Sequence, residues 1–283
     1  MTAAAPSVGV PLPRRPGRGL RFARGVRQYA PAIAVFAGGI LLWELLIRAF
    51  DVRGFILPAP SAIGAALVEN WGAGRWPLFE SARTTLYEAI GGLVIGTSAG
   101  LVVAFAVSRW ANARDAVLPI AIAVNAIPII AIAPIFNAWF GVTNPLSKMM
   151  IAALLVFFPV MINVTRGLTQ VEPAALELMR SYAASQTAVL RKVRIPNALP
   201  FFFTAMKVAT TLSLIGAVVG EYFGGSSTVI GRVVVQSASA LRFDVTWAAI
   251  LLVAVTGIVF YLIIVMLERV FIPWHASVRA EST

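Results

Sequence analysis

RGLTQVEPAALELMRSYAASQTAVLRKVRIPNALP, residues 166–200, is the longest charged interruption between apolar stretches of this 283-residue chain. On either side of it the sequence is almost uncharged for some twenty residues at a time. The whole chain is 59% hydrophobic and only 12% charged, whereas soluble domains carry about 25% charged residues. A soluble protein of this length cannot hide so much apolar surface; a bilayer can, and each helical crossing takes roughly 20 apolar residues. The quoted stretch is therefore a long polar connection in a polytopic, all-α membrane protein.

Working outward from it, six crossings are expected, at 29–47, 84–108, 117–140, 146–165, 201–222 and 245–267. Residues 1–28, with six arginines among Pro and Gly, read as a disordered basic tail. Residues 29–272 read as one transmembrane domain and 273–283 as a short C-terminal tail. The run after the arginines is too long for a signal peptide and carries Trp43 and Glu44, so it reads as a retained span. Six spans place both termini on one side. With the N-terminus inside, fifteen Lys/Arg fall in inner segments and seven in outer ones, as the positive-inside rule requires. This puts 166–200 in the cytoplasm. The net charge of +11 is thus a topology signal and gives no reason to expect nucleic acid. With no cysteine and His275 alone, neither metal ligation nor a cofactor is expected.

Within 166–200, Pro173 suits a first helical turn. Ala175, Leu178, Met179 and Tyr182 follow at i, i+3, i+4 and i+7, one apolar face of a short helix. Ser185 is placed to cap a second short helix bearing Val189, Leu190 and Val193, with Pro196 and Pro200 ending it. Periodicity alone leaves two uses open for the apolar face. One is the membrane interface and the other is a groove on a protein partner.

The same loop resembles the signature loop of ABC-importer permeases, E-A-A-x3-G-x9-I-x-L-P. Glu177-Leu178-Met179 stands at E-A-A, Ala183 at the glycine, and Val193-Arg194-Ile195-Pro196 at I-x-L-P. The glutamate, the spacing and the final proline agree; Leu178, Met179 and Ala183 depart, and Ala tolerates φ > 0 less well than Gly. Leu57-Pro58-Ala59-Pro60-Ser61, Asn125-Ala126-Ile127-Pro128, Trp139-Phe140-Gly141 and Gly220-Glu221-Tyr222-Phe223 are similar to permeases of the nitrate, sulfonate, taurine and pyrimidine-precursor group, which is riboflavin-like. The resemblance covers about residues 30–272. It implies a type I ABC-importer fold whose loop is a coupling helix docking on a cytoplasmic ATPase. The contact residues would be Glu177, Leu178, Met179, Tyr182, Ala183, Val193, Ile195 and Pro196. It also implies two ATP-binding subunits, a homodimer of this chain, an external solute-binding protein and a place in the bacterial inner membrane. The chain lacks the G-x-x-x-x-G-K-[ST] phosphate loop, so energy would arrive through that contact.

Other polar residues in or near spans are candidates for the pathway: Asn125, Pro128 and Asn137 in the proline-broken third span, Asn163 in the fourth, Thr211 in the fifth and Glu221 at its end. Glu221 reads equally as a gate, a docking contact or a solvated acid. Glu44 and Glu88 have Arg48 and Arg83 as nearby partners. Gly92, Gly96 and Gly100 form a small-residue face for close helix packing. Ser61 is a plausible N-cap after the first span. An ion-coupled secondary transporter is the alternative function. A membrane enzyme is the third reading, for which no nucleophile, base or metal set is present.

Overall fold

In a computed structural model, residues 18–72, 74–125 and 127–273 are described. Most of the 1–28 tail, nearly all of the 273–283 tail, and His275 with it, lie outside them. The described residues contain helices and no strands. They divide into two units, one ending at Val52 and one beginning at Arg53. The first unit holds α1, Arg18–Ala49, of which Ala30–Ala49 is long and apolar enough to cross a bilayer. As described, α1 includes residues 18–28 of the stretch read as a basic tail. Glu44 accepts from Arg48 one turn later at 2.6 Å.

The second unit is built on α3 (Leu78–Ser108), α6 (Pro145–Thr169) and α9 (Ile195–Tyr222). α6 lies between the other two and packs along both. Small residues permit this. A Cβ on Gly96 would stand 2.4 Å from the Ala153 carbonyl oxygen of α6, and one on Gly216 of α9 would stand 2.6 Å from Ala152 Cα. The face of Gly92, Gly96 and Gly100 is therefore spent inside the chain, where backbones approach almost to contact. Around it Leu93, Val156, Val160, Met161, Leu168 and Ala205 form the buried core. α11 (Phe243–Phe271) runs beside α9, with α2 (Pro60–Glu69) and α10 (Ile230–Ser239) against it. Its outer residues, among them Ile258, Met266 and Val270, remain exposed, as befits a surface facing lipid or another membrane chain.

Among the described residues, five helices are long and apolar enough to span. The third expected crossing, 117–140, is not one helix: it is divided into α4 (Ala111–Asn125) and α5 (Ile129–Phe140). Pro128 has no N–H and sits extended at φ −67°, ψ 107° as the cap of α5, and the residue before a proline is driven from the helical region. The two pieces are about 22 and 18 Å long at 1.5 Å per residue, short of a 30 Å hydrocarbon core. Pro119 and Pro134, by contrast, are carried inside their helices. At α2 the cap lies two residues before the expected Ser61. Ala59 is the N-cap and Pro60 takes the first turn, leaving Ser61 within the helix. α6 opens on Asn144, whose side chain accepts from Leu146 N–H at 3.0 Å.

Candidate functional site

The chain between α6 and α9 is a helical hairpin. α7 (Pro173–Ser181) starts on Pro173, as its fixed φ favours. It ends in a turn where Ala183 N–H donates to Arg180 O at 2.9 Å and Ala184 N–H to Met179 O at 3.0 Å. That pair of bonds is a Schellman motif, whose pivotal residue adopts the left-handed conformation normally given to glycine. Here it is Ala183, at φ 47°. The turn demands the glycine of the family pattern; this chain meets the demand with alanine. Ser185 then caps α8 (Gln186–Val189), its hydroxyl accepting from Ala188 N–H at 3.2 Å.

The prolines expected to end this helix do not. Between α8 and α9, Leu190–Arg194 form a π-turn in which Ile195 N–H donates to Leu190 O, five residues back. The ladder has shifted by one residue where Pro196 would otherwise leave a bond unmade and its ring would strike a carbonyl. Helix runs on through Pro196 and Pro200, so Gln186–Tyr222 is one apolar helical rod. The Asn197 side-chain amide donates to Gly167 O at 2.7 Å and Gln170 O at 3.1 Å. It clamps the start of α9 to the end of α6, where it satisfies carbonyls that a helix terminus leaves unpaired.

The eight proposed contact residues divide in two. Glu177, Leu178, Tyr182 and Ala183 are exposed, Tyr182 to 75% and Leu178 to 56%. Met179, Val193, Ile195 and Pro196 are half-buried. Val193 and Pro196, together with Ala175 and Asn197, line a cleft of about 460 Å³ between α7 and α9. The expected apolar face is therefore split, Ala175 and Met179 turned inward and Leu178 and Tyr182 outward.

At the opposite end of the bundle, about 27 Å along α6 by its 1.5 Å rise, charged residues of three helices meet. Lys148 of α6, Glu88 of α3 and Glu221 of α9 are all essentially buried. Lys148 donates to Val142 O and lies within electrostatic reach of both carboxyls. Glu221 Oε2 accepts from Gly231 N–H at 2.6 Å, and Thr85 Oγ1 accepts from Ile230 N–H at 3.1 Å. These are the first two N–H groups of α10, whose own N-cap is Val229, with no side-chain acceptor. The cap is supplied by α9 and α3 instead. Glu221 is thus a buried structural anchor and not a solvated acid. Glu88 does not pair with Arg83, which binds Glu80 at 2.6 Å. Nothing in local periodicity indicated this convergence; an apolar residue at a cap position was its one trace.

The remaining pathway candidates are not gathered into one site. Asn125, Pro128 and Thr211 are exposed. Asn163 is half-buried, its amide donating to Pro159 O at 2.8 Å. Asn137 is buried at 3% exposure, and neither side-chain polar atom finds a partner among the described residues.

The described residues thus form a helical core of membrane-spanning length with a two-helix loop between α6 and α9. Residues 92–273 match the family described as the binding-protein-dependent transport system inner membrane component. A probable ABC transporter permease protein of Haemophilus influenzae is 31% identical over 87% of this chain and 98% of its own length. A riboflavin transport system permease protein of Chloroflexus aurantiacus is 26% identical over 84% of this chain and 87% of its own. In fold, the chain superposes with a TM-score of 0.55 and 18% identity on a solved chain of the MetNI methionine ABC transporter in an inward-facing conformation. That match covers 72% of this chain and 95% of the other. This chain belongs to the family of inner-membrane permease components of binding-protein-dependent ABC transporters.

Proposed function

We propose that the chain is the permease subunit through which an ABC importer moves a small solute, either a small anion or a heterocycle. A separate cytoplasmic ATPase, in two copies, drives it, and an external binding protein supplies the solute. Two copies of the chain, each with one permease domain over residues 29–272, form the pathway between them. Both termini and the α7–α8 hairpin lie in the cytoplasm.

The observation that carries this reading is mechanical. The exposed Glu177, Leu178, Tyr182 and Ala183 sit on a hairpin that continues as rigid helix into α9, and Asn197 ties that junction to α6. Force applied at Leu178 and Tyr182 passes to two core helices as a rigid-body movement, the kind of step that exchanges inward- and outward-open states. An ion-driven transporter has no use for such a projection. The test is Leu178→Asp in the complex reconstituted with its ATPase. Uptake should fall at least about tenfold while ATP hydrolysis persists, since losing a hot-spot contact costs about 2 kcal/mol or more. Normal uptake by this variant would refute the docking role.

A further inference from the structure

A cavity of about 360 Å³ opens at the hairpin end of the bundle, between the end of α3 and the π-turn. Arg109 and Trp110 line it from one side, Thr187 and Arg194 from the other. Two guanidinium groups from distant parts of the chain thus face one concavity, and no Asp or Glu lines it. Arg48, Arg83, Arg114, Lys207 and Arg242 each hold a carboxylate; among the described residues neither Arg109 nor Arg194 does. A place at the C-terminus of α3 accounts for Arg109, since cations are favoured there. Nothing of that kind accounts for Arg194, which is half-buried well inside the rod Gln186–Tyr222. Two like charges facing one cavity repel, and an anion between them removes that cost.

The level of the cavity selects the anion. α3 has 31 residues and is about 46 Å long. That exceeds a hydrocarbon core of roughly 30 Å and carries its end into the headgroup layer, where the cavity sits. Trp110 is 61% exposed, as a tryptophan of the membrane–water interface is, and Phe105 and Leu190 give the cavity an apolar wall. A phosphate there accepts from both guanidinium groups in the forked geometry that arginine favours, and the carbons of a lipid lie on the apolar wall. A choline headgroup would bring a further cation to the two already present.

We propose that this cavity is a phosphate site filled by the headgroup of an anionic phospholipid, held by Arg109 and Arg194. The lipid ties the end of α3 to the π-turn from which the hairpin projects, whichever solute is carried. The test uses the complete complex with its ATPase, purified in detergent and titrated with phosphatidylglycerol, phosphatidylcholine or inorganic phosphate. Bound lipid is counted by native mass spectrometry, and the unfolding temperature is read in parallel. Phosphatidylglycerol should be retained at concentrations where phosphatidylcholine is not. Arg109→Gln, at an exposed position where folding does not depend on the side chain, should weaken that retention about tenfold, as loss of a charge-assisted hydrogen bond does. Arg194→Gln should do the same, and Arg180→Gln, at an exposed position of α7 outside the cavity, should not. Equal retention of the two lipids, an equal loss with Arg180→Gln, or no loss with either cavity variant overturns the proposal. A rise in unfolding temperature with inorganic phosphate, absent in Arg109→Gln and without retention of phosphatidylglycerol, would overturn the lipid in favour of a free anion. Loss of the ATPase from the Arg109→Gln complex would overturn it in favour of a protein contact. Each of these failures leaves the permease reading standing, because that reading fails only if ATP-dependent uptake is absent.

Discussion

Ala183 is held at φ 47°, where a Cβ crowds the following carbonyl at a cost of about 1–2 kcal/mol. Ala183→Gly should therefore stabilise the hairpin by about 1 kcal/mol, read as slower amide exchange at Ala183 and Ala184; faster exchange would contradict the strain. At the far end, Glu221→Ala strands Gly231 N–H and deprives Lys148 of a neighbouring charge. Loss of a buried charged acceptor costs about 1–3 kcal/mol or more, so thermal stability of the purified complex should drop, whereas Glu80→Ala, whose partner Arg83 is exposed, should leave it unchanged. The two sites differ in how legible they were. The glycine-like demand at Ala183 lies within ten residues of sequence, and the family spacing exposed it. The Glu221 anchor joins residues of α3, α6, α9 and α10, and no window along one helix contains it.

The rod Gln186–Tyr222 shows where proline rules mislead. Pro196 follows directly on the π-turn at Leu190–Arg194, which changes the step just before it, whereas Pro200 is carried inside α9 as Pro119 and Pro134 are inside α4 and α5. The same rules succeed at Pro128, where nothing upstream shifts the ladder and the span divides into α4 and α5. A π-turn is also an inserted residue. Deleting Lys192, which is exposed, should restore ordinary helix and rotate α7 about α9 by about 100°, the angle of one helical residue. The expected outcome is normal membrane accumulation with ATP hydrolysis no longer matched by uptake; retained coupling would mean that the orientation of α7 is unimportant. Asn197→Ala removes two bonds between α6 and α9 and should weaken coupling in the same assay without altering the rod.

At the scale of the whole molecule, the apolar runs made five helices recognisable because each is long enough to satisfy its backbone internally in lipid. The order in which they pack was not written in composition; it follows from which glycines meet which backbones. The orientation of the assembly rests on the excess of fifteen inner over seven outer basic residues, and it makes a prediction that involves both ends at once. Tyr182, on the hairpin, is 75% exposed, and Leu241, in the turn between α10 and α11, is 62% exposed. The two turns lie at opposite ends of helices that run the length of the bundle. In a chain without cysteine, Tyr182→Cys and Leu241→Cys each provide one accessible thiol. An impermeant maleimide added to intact cells should label Leu241→Cys and spare Tyr182→Cys, and inverted vesicles should give the opposite pattern. The reverse result would place the hairpin outside, where no ATP-driven partner could reach it. Labelling of both variants from one side would mean that α9 does not cross the bilayer.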